Sequence, residues 1–209
     1  MNLKAVIRTT SILLFVLSLF FLIPFFYGLV FEHKVFVSFL KPLILSLSFL
    51  ALGLQLKGEP EIKEAILSVV LVWLLFPLLS SIPYLDMGAV KSLADAYFES
   101  MSGFTTTGAS VIPKPEELDK SLLLWRSTTH WIGGIGFVVF SLSVMPGIGG
   151  VKLVRFESSK VVEEKLLPRV REIARAMLFV YLGLTISEIL LLKLAGMSFF
   201  DAVNHTFAT

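Results

Sequence analysis

Five apolar runs dominate this sequence, each long enough to cross a lipid bilayer as a single helix. A span needs about 20 residues at a rise of ~1.5 Å each. Ser11 to Phe31, Val35 to Leu56, Ala65 to Leu85, Leu122 to Val144 and Ile173 to Leu194 meet that length. Hydrocarbon offers no partner to a free amide or carbonyl, so such runs must close their backbone hydrogen bonds internally. Composition agrees: 56% of the 209 residues are hydrophobic, 19 are Phe and 16% are charged, which rules out a soluble domain. An all-α membrane protein with five transmembrane helices is the expected class.

The first run follows Lys4 and Arg8, as a secretory signal would, but it is too long and lacks a small-residue cleavage site. It reads as a retained helix. Orientation comes from the bases. Lys152, Arg155, Lys160, Lys165, Arg169, Arg171 and Arg175 lie between or beside the fourth and fifth runs, which puts that loop and the N-terminus in the cytoplasm. Residues 86–121 then lie outside, where Asp86, Asp95, Glu99, Glu116, Glu117 and Asp119 outnumber Lys91, Lys114 and Lys120. The expectation is a multi-pass protein of the cell membrane. A net charge of +2 argues against a nucleic-acid partner, and the absence of Cys excludes disulfides, thiolate metal sites and a cysteine nucleophile.

The outer connection has structure of its own. Ser92 followed by Asp95 forms an N-terminal capping pattern, a hydroxyl for the first free amides and a carboxylate at the positive helix end. The spacing predicts a helix from Leu93 to about Gly103, carrying Glu99 and too short to span, as suits a re-entrant half-helix. Phe104-Thr-Thr-Thr-Gly-Ala-Ser110 follows immediately. Hydroxyls and one glycine make a backbone able to turn its carbonyls onto a dehydrated cation, and the negative end of the half-helix favours one there. A surface loop is the plain reading of such a motif taken alone.

A repeat shifts that balance. Ser198-Phe-Phe-Asp-Ala202 restates Ser92-Leu-Ala-Asp-Ala96 at an offset of 106 positions, again just after an outward-going helix. A unit of helix, half-helix, filter and helix starts a second time, with Thr209 inside the second half-helix. The chain is therefore expected to be the N-terminal portion of a longer protein, and alone it is expected to insert without conducting.

The run Glu99-Ser-Met-Ser-Gly-Phe-Thr-Thr-Thr-Gly-Ala109, with Leu124-Trp-Arg-Ser-Thr-Thr-His-Trp-Ile-Gly-Gly-Ile-Gly136, Leu167-Pro-Arg-Val-Arg-Glu172 and Ala195-Gly-Met-Ser-Phe-Phe-Asp-Ala202, resembles the TrkH/KtrB potassium transporters. The first two helices look like the extra N-terminal pair of the TrkH branch. The resemblance implies four covalently linked helix, pore-loop, helix modules of fourfold pseudo-symmetry around one potassium pathway. On that analogy Thr106, Thr107, Gly108, Ala109 and Ser110 supply the first quarter of a selectivity filter, with K+ at Thr106, Thr107 and Gly108, and Ser92, Asp95 and Glu99 belong to its pore half-helix. It further implies potassium uptake rather than enzymatic chemistry, no cofactor beyond the transported ion, a homodimer of the full-length protein and a cytosolic nucleotide-binding regulatory subunit. The chain departs from the family in lacking three filters, the gating loop of the third module and the basic residue of the last. The implied division is 1–60, an N-terminal helix pair; 61–146, the first pore module; 147–171, a cytoplasmic loop; and 172–209, the start of a second module.

Other residues receive plainer assignments. Gly133, Gly134 and Gly136 serve close helix contact. Arg126 and His130, one turn apart, form a snorkelling or hydrogen-bonded pair. Glu188 faces protein or water, with a structural contact and a part in permeation both open. Pro77 and Pro83 kink the third helix and end it near the outer surface. The bases of 152–175 make a solvated loop or a docking surface. A membrane enzyme would need acids, bases or metal ligands converging within the spans, and Glu188 with three scattered His do not supply them. An alternating-access carrier would also use broken helices, but the repeat is parallel rather than inverted.

Overall fold

The computed structural model describes residues 1–33, 36–145 and 161–209, without the side chains of 137–171, 173 and 174. The chain forms two compact units, Met1–His130 and Trp131–Thr209.

The first unit begins with a helical path, Leu3–Phe31, of 29 residues. It is not uniform: α1 (Leu3–Ser18) gives way to a 3-10 turn at Leu19–Phe21, then α2 (Leu22–Tyr27), then a π turn at Gly28–Glu32. Pro24 lies among these changes. It has no amide hydrogen and its ring crowds the carbonyl four residues earlier, so the ladder tightens before it and widens after it. Helices α3 (Val37–Leu54) and α4 (Ile62–Asp86) follow. Small and hydroxyl side chains join the three: a Cβ on Gly53 would sit 2.0 Å from Ser11 Oγ, and Ser18 and Ser46 share a buried 2.6 Å hydrogen bond. Ser68 Oγ donates to the Val6 carbonyl at 3.3 Å. Close backbone approach with internal hydrogen bonding is how helices associate where apolar burial gives no drive. Leu45, Phe26 and Leu74 stay exposed around the outside, as a lipid-facing surface requires.

Helix α4 runs through both prolines and ends three residues beyond Pro83. Its stop is a glycine: Gly88 takes φ +72°, its amide donates to the Leu85 carbonyl, and the Ala89 amide to that of Tyr84. This is the Schellman arrangement, which a glycine at the left-handed position makes cheap. The expectation that Pro83 ends the helix is corrected, because a proline removes one bond from a helix already packed on neighbours whereas the reversal of φ ends it.

Helix α5 (Leu93–Phe104) is a short helix over the expected residues, ending one residue later than predicted. Its last residue enters an aromatic cluster: Phe104 lies 4.9 Å from Phe76 and 4.9 Å from Trp73, while Phe76 meets Trp125, itself stacked on Phe21 at 4.0 Å. Helix α6 (Lys120–Met145) is capped from afar, since the Glu32 carboxylate accepts from the amides of Lys120 (2.8 Å) and Ser121 (3.1 Å). An anion at a helix N-terminus meets free amides and the positive dipole end.

In the second unit, α7 (Val161–Leu194) and α8 (Phe199–Ala208) follow. Residues 147–160 of the expected cytoplasmic loop lie outside the described residues, and the chain is helical from Val161. Glu163-Glu164-Lys165-Leu166-Leu167 are strong helix formers, and a helix can run on beyond a bilayer. The close contact assigned to the α6 glycines is present at Gly134, where a Cβ would meet Tyr181 Oη at 2.7 Å. Tyr181 Oη donates to the Trp131 carbonyl (3.1 Å), Trp131 Nε1 to Thr185 Oγ1 (3.1 Å), and the Trp131 ring stacks on Phe207.

Among the described residues four helices are long and apolar enough to cross a membrane: Leu3–Phe31, Val37–Leu54, Ile62–Asp86 and Arg175–Leu194. The remaining apolar run, Leu122 to Val144, lies within the helix α6.

Candidate functional site

Helix α5 starts as its sequence dictates. Ser92 Oγ accepts from the Asp95 amide at 3.0 Å and donates to the Asp95 carboxylate at 2.7 Å. The repeat unit does the same at α8, where Ser198 Oγ accepts from the Asp201 amide at 3.1 Å and donates to its carboxylate at 2.7 Å. One local code yields one local structure at both places.

The other end of α5 departs from that economy. The Thr106 amide donates to the Gly103 carbonyl and the Thr107 amide to that of Ser102, each at 2.9 Å, which is the Schellman pattern again. Its left-handed residue is Thr106, at φ +57°, where glycine is usual. A β-branched side chain there costs about 1–2 kcal/mol, and such strain collects at functional sites. Gly108 reverses again at φ +76°, two residues on, with nothing within 4 Å of where a Cβ would stand. Residues 106–111 are exposed along this doubly reversed path.

Hydroxyls hold the loop from behind. Thr105 Oγ1 donates to the Met101 carbonyl (2.8 Å) and lies 2.8 Å from Thr107 Oγ1. Ser102 Oγ donates to the Ala109 carbonyl at 2.5 Å. On the outgoing limb, the Glu99 carboxylate accepts from Ser110 Oγ at 3.0 Å on both oxygens and from the Val111 amide at 3.1 Å. Arg126 Nε donates to the same carboxylate at 2.7 Å. The Glu99 side chain is 1% exposed and that of Arg126 18%, so this is a buried ion pair with its oxygens satisfied.

The expected filter residues thus form one loop on the carbonyl end of the expected half-helix. Ser110 takes part through a hydroxyl turned onto Glu99. Arg126 does not snorkel: its guanidinium pairs with Glu99, while His130 Nδ1 donates to the Arg126 backbone carbonyl at 2.9 Å. Glu188 is half-buried. Three participants were missed. Ser102 carries no signal among neighbouring small residues, and Gly103 is signalled only by being a glycine inside a helix. A Cβ on Gly103 would sit 2.3 Å from Thr129 Oγ1, so its bareness lets α5 lie against α6. The third is the joining of Glu99 to Arg126, whose signal was two opposite charges in apolar surroundings. Among the described residues no group of three or more His, Cys, Asp or Glu is placed to hold a metal ion.

Residues 32–209 match the family model of TrkH, described as a cation transport protein. The chain belongs to this family. Among its relatives, the Trk system potassium uptake protein TrkH of Vibrio parahaemolyticus is 36% identical over all of this chain and 45% of its own length. The protein of the same name from Escherichia coli is 32% identical over all of this chain, again 45% of the relative. An uncharacterized cation transporter of Methanocaldococcus jannaschii is 34% identical over 91% of this chain and 40% of itself. The crystal structure of the potassium transporter TrkH from Vibrio parahaemolyticus superposes with a TM-score of 0.82 at 32% identity, covering 99% of this chain and 42% of that one. The chain spans less than half the length of these TrkH relatives.

Proposed function

We propose that this chain supplies the first of four filter segments of a potassium uptake pathway, through backbone oxygens of Thr106, Thr107, Gly108, Ala109 and Ser110. The observation that carries the reading is the loop itself. Two left-handed residues, Thr106 and Gly108, bend an exposed backbone directly at the negative end of α5. A cation sheds its water only where oxygens replace it, and release requires that they hold it loosely. Membership of a cation transport family and relatives named for potassium uptake support that use.

The same proposal covers the frame around the loop. It reads α6 as a fifth span, α5 and α8 as re-entrant half-helices of successive modules with fourfold pseudo-symmetry, and the N-terminus as cytoplasmic in a multi-pass cell-membrane protein. The modules divide as 1–60, 61–146, 147–171 and 172–209. A homodimer and a cytosolic nucleotide-binding subunit on the 147–171 segment belong to the whole assembly. Its role is transport, with K+ as cargo.

The test is Gly108→Ser in the protein as its full gene encodes it. A residue with a Cβ resists φ near +76° whatever space it has. Potassium over sodium discrimination, measured as rubidium uptake under sodium competition, should fall about tenfold, the equivalent of ~1.4 kcal/mol. Lys114→Ser on the exposed loop should leave it unchanged, and equal discrimination in both variants would remove Gly108 from the filter.

A further inference from the structure

We infer that the Glu99–Arg126 pair is a positioning device for the filter, holding the outgoing limb of the loop rather than only joining two helices; the inference rests on the filter reading above. One carboxylate does both tasks. Its oxygens take Ser110 Oγ at 3.0 Å, the Val111 amide at 3.1 Å and Arg126 Nε at 2.7 Å. Ser110 Oγ in turn accepts from the Ile112 amide at 3.1 Å, so three successive residues are tied to one anion. An ion pair that served only to attach α5 to α6 would not need donors from the loop.

The geometry also explains why the acceptor is an anion. Ser110 and Val111 both present hydrogens, and only an acceptor with several lone pairs can take them and still meet a guanidinium. A buried carboxylate would be untenable without a cation, and Arg126, on α6, neutralises it. The ingoing limb at Thr105–Thr107 is held by carbonyls and hydroxyls of α5 itself. The outgoing limb relies on Glu99, and through it on α6. Carbonyl spacing at the mouth of the loop is therefore set by where α6 places Arg126.

This predicts an asymmetry that simple adhesion does not. Reversing the pair, Glu99→Arg with Arg126→Glu in the protein as its full gene encodes it, restores an ion pair between the helices. It also faces Ser110 and the Val111 amide with a guanidinium, which donates and cannot accept. The reversed protein should elute from size exclusion as the wild type does, yet discriminate potassium from sodium about tenfold less well, as expected for lost charge-assisted hydrogen bonds. Wild-type discrimination in the reversed pair would overturn the inference. Should the reversed protein not assemble, Ser110→Ala decides, since it keeps the ion pair and removes the hydroxyl: discrimination should fall about threefold or more with elution unchanged. Unchanged discrimination in Ser110→Ala would equally overturn it. If the wild type itself takes up rubidium without discriminating, the filter reading fails and this inference with it; a discriminating wild type with indifferent variants sinks the positioning role alone.

Discussion

The ends of α4 and α5 make the same pair of hydrogen bonds and differ in the residue that turns the chain. After Asp86 the left-handed position is Gly88, and after Leu194, at the end of α7, it is Gly196 at φ +99°, whose amide donates to the Lys193 carbonyl while that of Met197 donates to Leu192. After Phe104 the same position is Thr106. Two helix ends that only have to stop use the residue that adopts this conformation without strain. The third accepts the strain, keeps a hydroxyl-bearing residue, and places its glycine two positions later where a second reversal is needed. The helix ends also differ in support: those of α4 and α7 close on their own carbonyls, whereas the loop after α5 is held by Ser102, Glu99 and, through Glu99, Arg126.

That contrast can be broken most severely at its support. Arg126→Met leaves the Glu99 carboxylate buried without a cation, and loss of one partner of such a pair costs about 3–5 kcal/mol. Thermal unfolding of the detergent-solubilised protein should show a large drop, and a melting temperature within error of wild type would mean that the α5 loop is as self-sufficient as the other two helix ends. Gly103→Ala comes next. Its new methyl meets Thr129 Oγ1 well inside contact distance, and overpacking of this kind costs about 1–3 kcal/mol. An unchanged melting temperature would show that α5 and α6 can separate freely at this point.

The smallest and most discriminating pair exchanges the turning residues themselves. Gly196→Thr should destabilise by about 1–2 kcal/mol, because it brings to α7 the strain that α5 already carries. Thr106→Gly should raise stability by up to about 1 kcal/mol, reduced by the added freedom of the unfolded chain, while potassium discrimination falls. Stability lost in Thr106→Gly together with full discrimination would mean that Thr106 is there for packing.

Those residues mark how far the sequence was legible. The start of α5 could be read to the residue, because Ser92 and Asp95 act on amides three positions away and need no tertiary partner. Gly108 could be read because a lone glycine among hydroxyl residues signals a reversal. Thr106 could not, since local propensity places a glycine where the chain has a threonine, and only the surrounding structure holds it there. Glu99 and Arg126 are 27 positions apart, and nothing in either neighbourhood states that α5 will lie on α6 in the register that joins them. The third helix shows the reverse error: Pro83 is a strong local signal, yet packing carries α4 through it to Asp86. The fourth apolar run is a helix as expected.

On the proposed function, the carbonyls of the loop after α5 face a cation. Anomalous diffraction from crystals of the protein as its full gene encodes it, soaked in thallium or rubidium as potassium substitutes, tests this without reference to transport rates. The expected result is an anomalous peak coordinated by backbone oxygens among Thr106, Thr107 and Gly108, displaced by excess potassium and weakened in Gly108→Ser. A well-ordered loop with no peak beside those carbonyls, or a peak elsewhere that Gly108→Ser leaves untouched, would contradict it.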